Sequence, residues 1–310
     1  MPIDPDLIET VLCPLCAEPR YQVIQAACYP EGVTREELLK IYSSSSDHTL
    51  MDQLVRCVSC SLVYLNPRIN TSIIMTSYAA AVDPVFFEQN PMRIRTFDRS
   101  LRHILRKQSI SQDPSKRILD IGCAGGAFLK AATDLGFSGI GVEPSAWLCE
   151  QGKIRYGLDL RPGDLSQHVF PDSSFFMITL WDVLEHLTEP GDILDRAHRL
   201  LASDGYLIVN LPNYDSTVSK LLGKHWPFLL NVHLTYFTPK TLGQMLTRHG
   251  YHLLSISPYF QTLELRYVMT RASQVAPPFA LVKKGIEALG IGGWPCYYNM
   301  GQMTVVARKA

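Results

Sequence analysis

ILDIGCAGGAFLKA, residues 118–131, is the stretch whose reading decides the fold. An apolar run ends at Gly122, Gly125 and Gly126 follow at once, and a helix-forming segment comes next. A strand, a glycine turn and a helix in that order set free backbone N–H groups and the positive helix end beside a ligand. Glycines there let the backbone approach where a Cβ would clash. The same residues would also make a plain strand-to-helix turn, so the rest of the chain has to supply the ligand.

Outward from that loop, from Pro114 onward, short apolar strands alternate with helices of about a dozen residues. RILDIG, SGIGVEP, FFMITLWDVL and YLIVNLP read as strands; AFLKAATDLG, SAWLCEQGKIRYG and PGDILDRAHRLLASDG read as helices. That rhythm predicts an α/β fold, a Rossmann-like, doubly wound and mostly parallel sheet. Beyond Pro212 a loop-rich insert interrupts it, then TPKTLGQMLTRHG resumes as a helix. YHLLSISPY and MGQMTVVARK offer two more strands, separated by an apolar helix around residues 278–290. Upstream, residues 70–110 read as helical. Thr71 is the expected cap of IIMTSYAA, and Ile94, Phe97, Leu101, Ile104 and Leu105 make an apolar stripe at three- and four-residue spacing. The spacing divides the chain into a cysteine-bearing unit at 1–68, a helical connector at 69–112 and an α/β domain at 113–310 with an insert at about 213–240. TREELLKIY is a short helix within the first unit, followed by a soft connector, SSSSD.

The bulk composition excludes several classes. The chain has 310 residues, 46% apolar and 19% charged, ordinary for a globular protein. Lys plus Arg equals Asp plus Glu at 29 each, which argues against a dedicated nucleic-acid binder. No apolar run approaches the ~20 residues of a membrane span. The N-terminal MPIDPDLIET is acidic and lacks the regions of a signal peptide, so a cytoplasmic location is expected.

The glycine loop admits two ligands, a dinucleotide or S-adenosylmethionine. Read from Gly122, the loop is G-C-A-G-G-A, which departs from the dinucleotide fingerprint at its third and sixth positions. Asp120, at the strand end, would repel a pyrophosphate but suits the ammonium of a methionine moiety beside its sulfonium. Glu143 closes the second strand, placed to accept from ribose hydroxyls, a role open to either ligand. Asp164 in PGDL stands where a side chain could bond an adenine amino group. Together LDIGCAGGAFL, GVEPS, GDL and WDVLEHL resemble the class I S-adenosylmethionine-dependent methyltransferases, over about residues 114–310. The resemblance implies that Asp120, Gly122, Cys123 and Gly126 hold the amino-acid end and that Glu143 and Pro144 hold the ribose. It implies adenine contacts at Asp164 and Leu165, with Trp181 and Asp182 shaping the cofactor wall. The family usually has a glycine where this chain has Ala124, a residue small enough for binding to survive.

Four of the eight cysteines fall as CPLC (Cys13, Cys16) and CVSC (Cys57, Cys60); Cys28, Cys123, Cys149 and Cys296 are scattered. In a reducing compartment paired CxxC motifs read as metal ligands before disulfides. Two such knuckles complete a tetrahedral four-thiolate site with no open position, hence a structural one, for zinc or iron. Forty residues lie between Cys16 and Cys57, so that segment must loop out. CxxC…CxxC followed by LVYLNPR resembles the zinc-binding lead-in of one subgroup of these methyltransferases. That subgroup implies a small-molecule acceptor, a sugar, nucleotide-sugar or glycan precursor, with oxygen favoured over nitrogen or carbon.

Methyl transfer requires an aligned acceptor and, for a hydroxyl, a base. His186 in WDVLEHL lies after the third strand, at the edge where ligands of open sheets gather. His233 in HLTYF, within an insert that also carries His225, Trp226, Tyr236 and Phe237, is a second candidate base; the resembling subgroup has an HLxYF element there, and the insert could form a lid on the acceptor site. Either histidine could instead be structural. Arg93, Arg95, Arg99, Arg102, Arg106 and Lys107 could greet a phosphorylated acceptor or form a solvated face. The C-terminal FALVKKGIEALGIGGWPCYY could cap the pocket or join two copies as a homodimer. An RNA acceptor, or a cofactor-binding scaffold without turnover, are the rival readings.

Overall fold

The computed structural model describes residues 3–42, 50–79, 82–275 and 278–310; the SSSSD connector, residues 43–47, lies outside them. The N-terminal unit is a small antiparallel sheet of β1 (Tyr21–Gln25), β2 (Leu54–Cys57) and β3 (Val63–Leu65), with helix α1 (Arg35–Ile41) between β1 and β2. Helix α1 starts at a capping box, the Thr34 and Glu37 side chains each taking the other's backbone N–H. Helices α2 (Thr71–Ala79), α3 (Pro84–Glu88) and α4 (Asn90–Lys107) follow. Thr71 is not the cap of α2. It is the first helical residue, its hydroxyl donates to Glu9 at 2.7 Å, and Asn70 accepts from the Ser72 N–H instead.

The catalytic domain is built on β4 (Arg117–Ile121), α5 (Ala127–Asp134), β5 (Ser138–Glu143), α6 (Ala146–Tyr156), β6 (Asp159–Pro162), β7 (Phe175–Trp181), α7 (Pro190–Leu200) and β8 (Leu201–Pro212). After the insert, with α8 (Thr217–Leu222) and β9 (Thr235–Tyr236), come α9 (Pro239–Arg248), β10 (Tyr251–Pro258), α10 (Leu265–Val275), α11 (Pro278–Ala288) and β11 (Gln302–Lys309). Seven strands form one sheet in the order β10-β11-β8-β7-β4-β5-β6. From β8 to β6 neighbours are parallel; β11 is antiparallel to β8 and β10 antiparallel to β11. The expected mostly parallel, doubly wound sheet is therefore what forms. Chain order reverses between β4 and β7, and the loops leaving their carboxyl ends flank the crevice where such sheets bind ligands.

Burial explains these elements. Strand β7 is buried almost throughout because helices cover both faces of a parallel sheet. The stripe of α4 is buried as expected, Phe97, Leu101, Ile104 and Leu105 packing with Ile118, Phe128 and Trp181, and Ile94 against them. Each such side chain contributes about 1.5–3 kcal/mol. Two boundaries differ from the expected ones. Helix α7 stops at Leu200, because Leu201 turns into β8 and pairs with Phe175 in the core. Strand β6 is polar and gave no strand signal, because as an edge it pairs on one side only, Asp159 facing Ile140. The hairpin of residues 261–264 and 295–298 and helix α10 were not foreseen either.

Candidate active site

The glycine loop leaves β4 as expected. Gly122 and Cys123 both donate to the Val142 carbonyl, at 2.8 and 3.2 Å, tying the loop to β5. Gly122 and Gly126 have φ of +69° and +75°, values that L side chains rarely adopt. Ala124 is also left-handed, at φ 47°, and its N–H is anchored on Glu143 Oε2 at 2.9 Å. That bond offsets part of the ~1–2 kcal/mol that such a conformation costs alanine. A Cβ at Gly122 would stand 2.5 Å from Cγ2 of Val183, whose branched side chain has little rotamer freedom. Gly122→Ala is therefore expected to destabilise by about 2 kcal/mol, read as a lower urea midpoint; an unchanged midpoint would show that the loop yields.

Two carboxylates line this loop. Asp120 is 2% exposed, accepts from the Thr179 hydroxyl at 2.5 Å, and is pushed up to about 7 by burial. Glu143 also accepts from the Ser145 N–H at 3.0 Å, and burial raises its pKa. A carboxylate offers about four acceptor sites, so two backbone donors leave room for hydroxyls. Pro144 is half-buried beside it. Asp164 accepts from the backbone N–H and hydroxyl of Ser166, capping a short turn in which Leu165 is buried. The Cys123 thiol turns into the core against Gly141, so its side chain serves packing. Trp181 joins an aromatic cluster, its ring centroid 5.0 Å from Phe97, 5.3 Å from Phe128 and 5.7 Å from Tyr259. Asp182, left-handed at φ 55°, accepts from Asn210 at 2.9 Å and Gln302 at 2.7 Å; burial lifts it to about 6.

The two candidate bases, 47 residues apart in sequence, come together. His186 and His233 have ring centroids 4.6 Å apart at an interplanar angle of 73°. Nδ1 of His186 lies 2.8 Å from the Val232 carbonyl, and Nδ1 of His233 lies 2.8 Å from the Phe228 carbonyl. A carbonyl only accepts, so both Nδ1 atoms carry the proton and Nε2 is the basic nitrogen. Burial lowers His186 to about 4 and lowers His233 further below the usual range, with His186 adding to the effect. Buried Glu185 completes the cluster, one donor atom of each residue lying within 4.8 Å of the others. Among the described residues neither Glu185 oxygen has a hydrogen-bond partner, and burial, then Asp182, holds the carboxyl well above its usual range. Burial keeps both imidazoles neutral at neutral pH, with Nε2 as the basic nitrogen of each.

The insert is built into the N-terminal unit. Strand β9 adds to the N-terminal sheet through Thr235↔Tyr64 and Tyr236↔Val63. Trp226, Leu229, Leu234 and Tyr236 share one core with Leu54, Val63 and Leu65. Exposed His225 takes no part in the histidine pair.

The four paired cysteines converge as well. Cys13 and Cys60 sulfurs are 3.5 Å apart, Cys16 and Cys57 likewise, and all four lie within 4.8 Å of one another. Sulfurs at ~2.3 Å from a tetrahedral ion stand about 3.8 Å apart, so the set fits. The knuckles are local copies: Ala17 donates to the Cys13 carbonyl at 2.8 Å and Ser61 to that of Cys57 at 3.1 Å, both with left-handed φ.

Sequence reasoning missed Glu185, Asn210, Gln302 and the inward role of Arg93. Arg93 reads as one of a row that could greet a phosphorylated acceptor or form a solvated face, Glu185 carries no signal of its own, and nothing local marks a polar residue that burial will claim. Of the other basic residues on α4, Arg99 bonds the Thr262 hydroxyl, Arg102 pairs with Asp98, Arg106 bonds the Arg102 carbonyl and Lys107 the Ser257 hydroxyl.

Comparisons with known proteins agree with this geometry. A family described as a methyltransferase domain matches residues 92–256. A ubiquinone biosynthesis O-methyltransferase of Rhodopseudomonas palustris strain HaA2 is 32% identical over 178 residues, 53% of this chain and 70% of the relative. One from strain TIE-1 is 31% identical over 127 residues, 39% of this chain and half of its own length. Among solved structures, a complex of a methyltransferase activator with a methyltransferase from Haloferax volcanii shares the fold, with TM-score 0.51 at 14% identity, covering 71% of this chain and 91% of that one. An Archaeoglobus fulgidus S-adenosylmethionine-dependent methyltransferase superposes at TM-score 0.48 with 19% identity, over 73% of this chain and all of that one. Among the described residues no helix is long and apolar enough to cross a membrane. With the family match spanning more than half of the chain, the protein belongs to the S-adenosylmethionine-dependent methyltransferases.

Proposed function

We propose that this enzyme methylates a hydroxyl oxygen of a small molecule, with His186 or His233 taking the proton. The observation that carries the reading is the convergence of the glycine loop, Asp120 and Glu143 at the sheet's switch point, with two neutral imidazoles on the loops beyond. Asp120, Gly122 and Gly126 hold the amino-acid end of the cofactor, Glu143 and Pro144 the ribose, and Asp164 and Leu165 the adenine. When bound, the cofactor supplies a methyl group activated by the sulfonium. The chain's own task is to orient the acceptor oxygen, exclude water and accept the hydroxyl proton on Nε2.

The relatives' name supports an oxygen acceptor and lends none to a sugar or glycan. Because this chain spans only half to 70% of those relatives, the acceptor is assigned by class alone. We assign residues 1–68 as a zinc-bearing unit, residues 69–112 as its helical connector and residues 113–310 as the catalytic domain. Cys13, Cys16, Cys57 and Cys60 hold a structural zinc ion.

Labelled methyl from S-adenosylmethionine, offered with a host-cell extract and then fractionated, tests the reading. Label is expected in the small-molecule fraction. Label confined to RNA would replace this reading by an RNA acceptor, and a bound cofactor with no transfer to any fraction would favour the scaffold.

A further inference from the structure

The basic row of α4 borders a groove to which methyl transfer gives no role. Arg99, His103, Arg106 and Lys107 follow one another at intervals of four, three and one residues, which places them along one face of the helix. With β10 and the hairpin of 261–264 and 295–298 they line a groove of about 410 Å³, within the ~300–1,000 Å³ of small-ligand clefts. Ile104, Tyr259 and Val306 give it an apolar floor, and among the described residues no acidic side chain lines it. Arg99 bonds the Thr262 hydroxyl at 3.1 Å, Arg106 the Arg102 carbonyl at 3.3 Å and Lys107 the Ser257 hydroxyl at 3.3 Å. These acceptors are neutral, so three positive charges line the groove with no carboxylate partner among the described residues. Arg102, which lies outside it, does have one in Asp98. At the Arg99 end, Phe260 and Tyr297 stack with ring centroids 5.0 Å apart and an interplanar angle of 15°, and the Arg99 guanidinium carbon lies 4.5 Å from the Tyr297 centroid. Phe260 and Tyr297 are 41% and 53% exposed, so the stack offers ring surface to a ligand. The Tyr259 ring packs 5.7 Å from Trp181 at the end of β7, which puts the groove behind that wall of the crevice and outside the crevice itself.

Cations without carboxylate partners suit an anion, and an exposed ring stack suits a planar group. From Arg99 to Lys107 the helix rises about 12 Å, a span that a sugar joining a base to its phosphates can bridge. We propose that this groove is a second ligand site, which takes a nucleotide with its base on Phe260 and its phosphates on Arg106 and Lys107. Inorganic phosphate would leave the rings unused, and an apolar ligand would leave the charges unused. A free nucleotide and one nucleotide of an RNA strand share this chemistry; the chain's formal charge of zero favours the free one. The site is separate from the cofactor crevice and does not depend on which acceptor the enzyme methylates.

Calorimetry with GDP on the full chain, in the presence of S-adenosylhomocysteine, tests the assignment, with guanosine, pyrophosphate and a short single-stranded RNA as comparisons. GDP is expected to bind without displacing S-adenosylhomocysteine, roughly 10- to 100-fold more tightly than guanosine, and more weakly as salt rises. Arg106→Gln combined with Lys107→Gln should cost GDP roughly the same factor. Phe260→Ala should weaken GDP by about 5- to 100-fold, the worth of a stacked base, and leave pyrophosphate unchanged. S-adenosylhomocysteine affinity should stay at the wild-type value in both variants. No GDP binding to wild type, GDP that displaces S-adenosylhomocysteine, or a GDP affinity that neither variant changes overturns the assignment. Guanosine binding as tightly as GDP overturns it too, because the cations would then have no part. RNA binding with no GDP binding replaces the free nucleotide by a strand. The comparison of GDP, guanosine and pyrophosphate on wild type alone decides the matter if a variant does not fold.

Discussion

Replacing Cys13 and Cys60 together by serine is expected to release one zinc ion per chain and to unfold the N-terminal unit. Besides the thiols, the unit is held by a sheet of short strands, closed by one strand of the insert, and by the core it shares with Trp226, Leu229, Leu234 and Tyr236. Structural zinc in small domains contributes on the order of 10 kcal/mol of folding free energy, so its loss is expected to outweigh those contacts. The loss should not stay local. The Cys57–Cys60 knuckle leads into β3; Leu65 donates to the Leu234 carbonyl at 3.0 Å, and Leu234 donates to the Glu185 carbonyl at 2.8 Å. Leu234 is thus a backbone bridge from the cysteine-bearing unit to the loop that carries His186, and its neighbour is His233. Turnover should collapse while S-adenosylhomocysteine still binds, because the glycine loop is anchored on β5. Metal analysis, a thermal melt and calorimetry on one preparation decide it. A metal-free wild type with an unchanged melt would show that the four thiols hold no ion.

Alanine at the base position is expected to cost about 10²–10⁴ in kcat, the usual worth of general-base catalysis. His186→Ala and His233→Ala separate the two candidates, and cofactor affinity should survive in both. Burial disfavours the imidazolium, so the lone pair on Nε2 is present throughout the neutral range. The acid limb of the kcat/KM profile should then fall near the His186 value of about 4 rather than near 6.5, the ordinary histidine value. If neither variant slows turnover while the cofactor binds, neither histidine is the base and the pair is structural. His233→Gln supplies a check, since an amide can still bond the Phe228 carbonyl but cannot act as a base near neutrality.

Much of the α/β domain is legible in the sequence. Strands β4, β5 and β7 and the helices between them follow from apolar runs with period two or 3.6, which depend only on neighbours along the chain. The glycine loop was equally plain, because Gly122 and Gly126 stand at left-handed φ, which L side chains rarely adopt. What stayed hidden has a common character. Edge strand β6, the hairpin of 261–264 with 295–298, and helix α10 have no strong local signal and exist through long-range pairing and packing.

The site divides along the same line. Sequence alone determined the type of each chemical part: two cysteine knuckles, a glycine loop between acids, and two candidate bases at strand ends. Tertiary structure decided which parts meet. It joined β9 of the insert to the N-terminal sheet, set His186 against His233, buried Glu185 with no hydrogen-bond partner among the described residues, and turned Arg93 inward from an otherwise exposed row. The physical reason is that backbone conformation is set by neighbouring residues. Burial, and with it the protonation of Glu185 and the histidines, is set by what packs against a residue from tens of positions away.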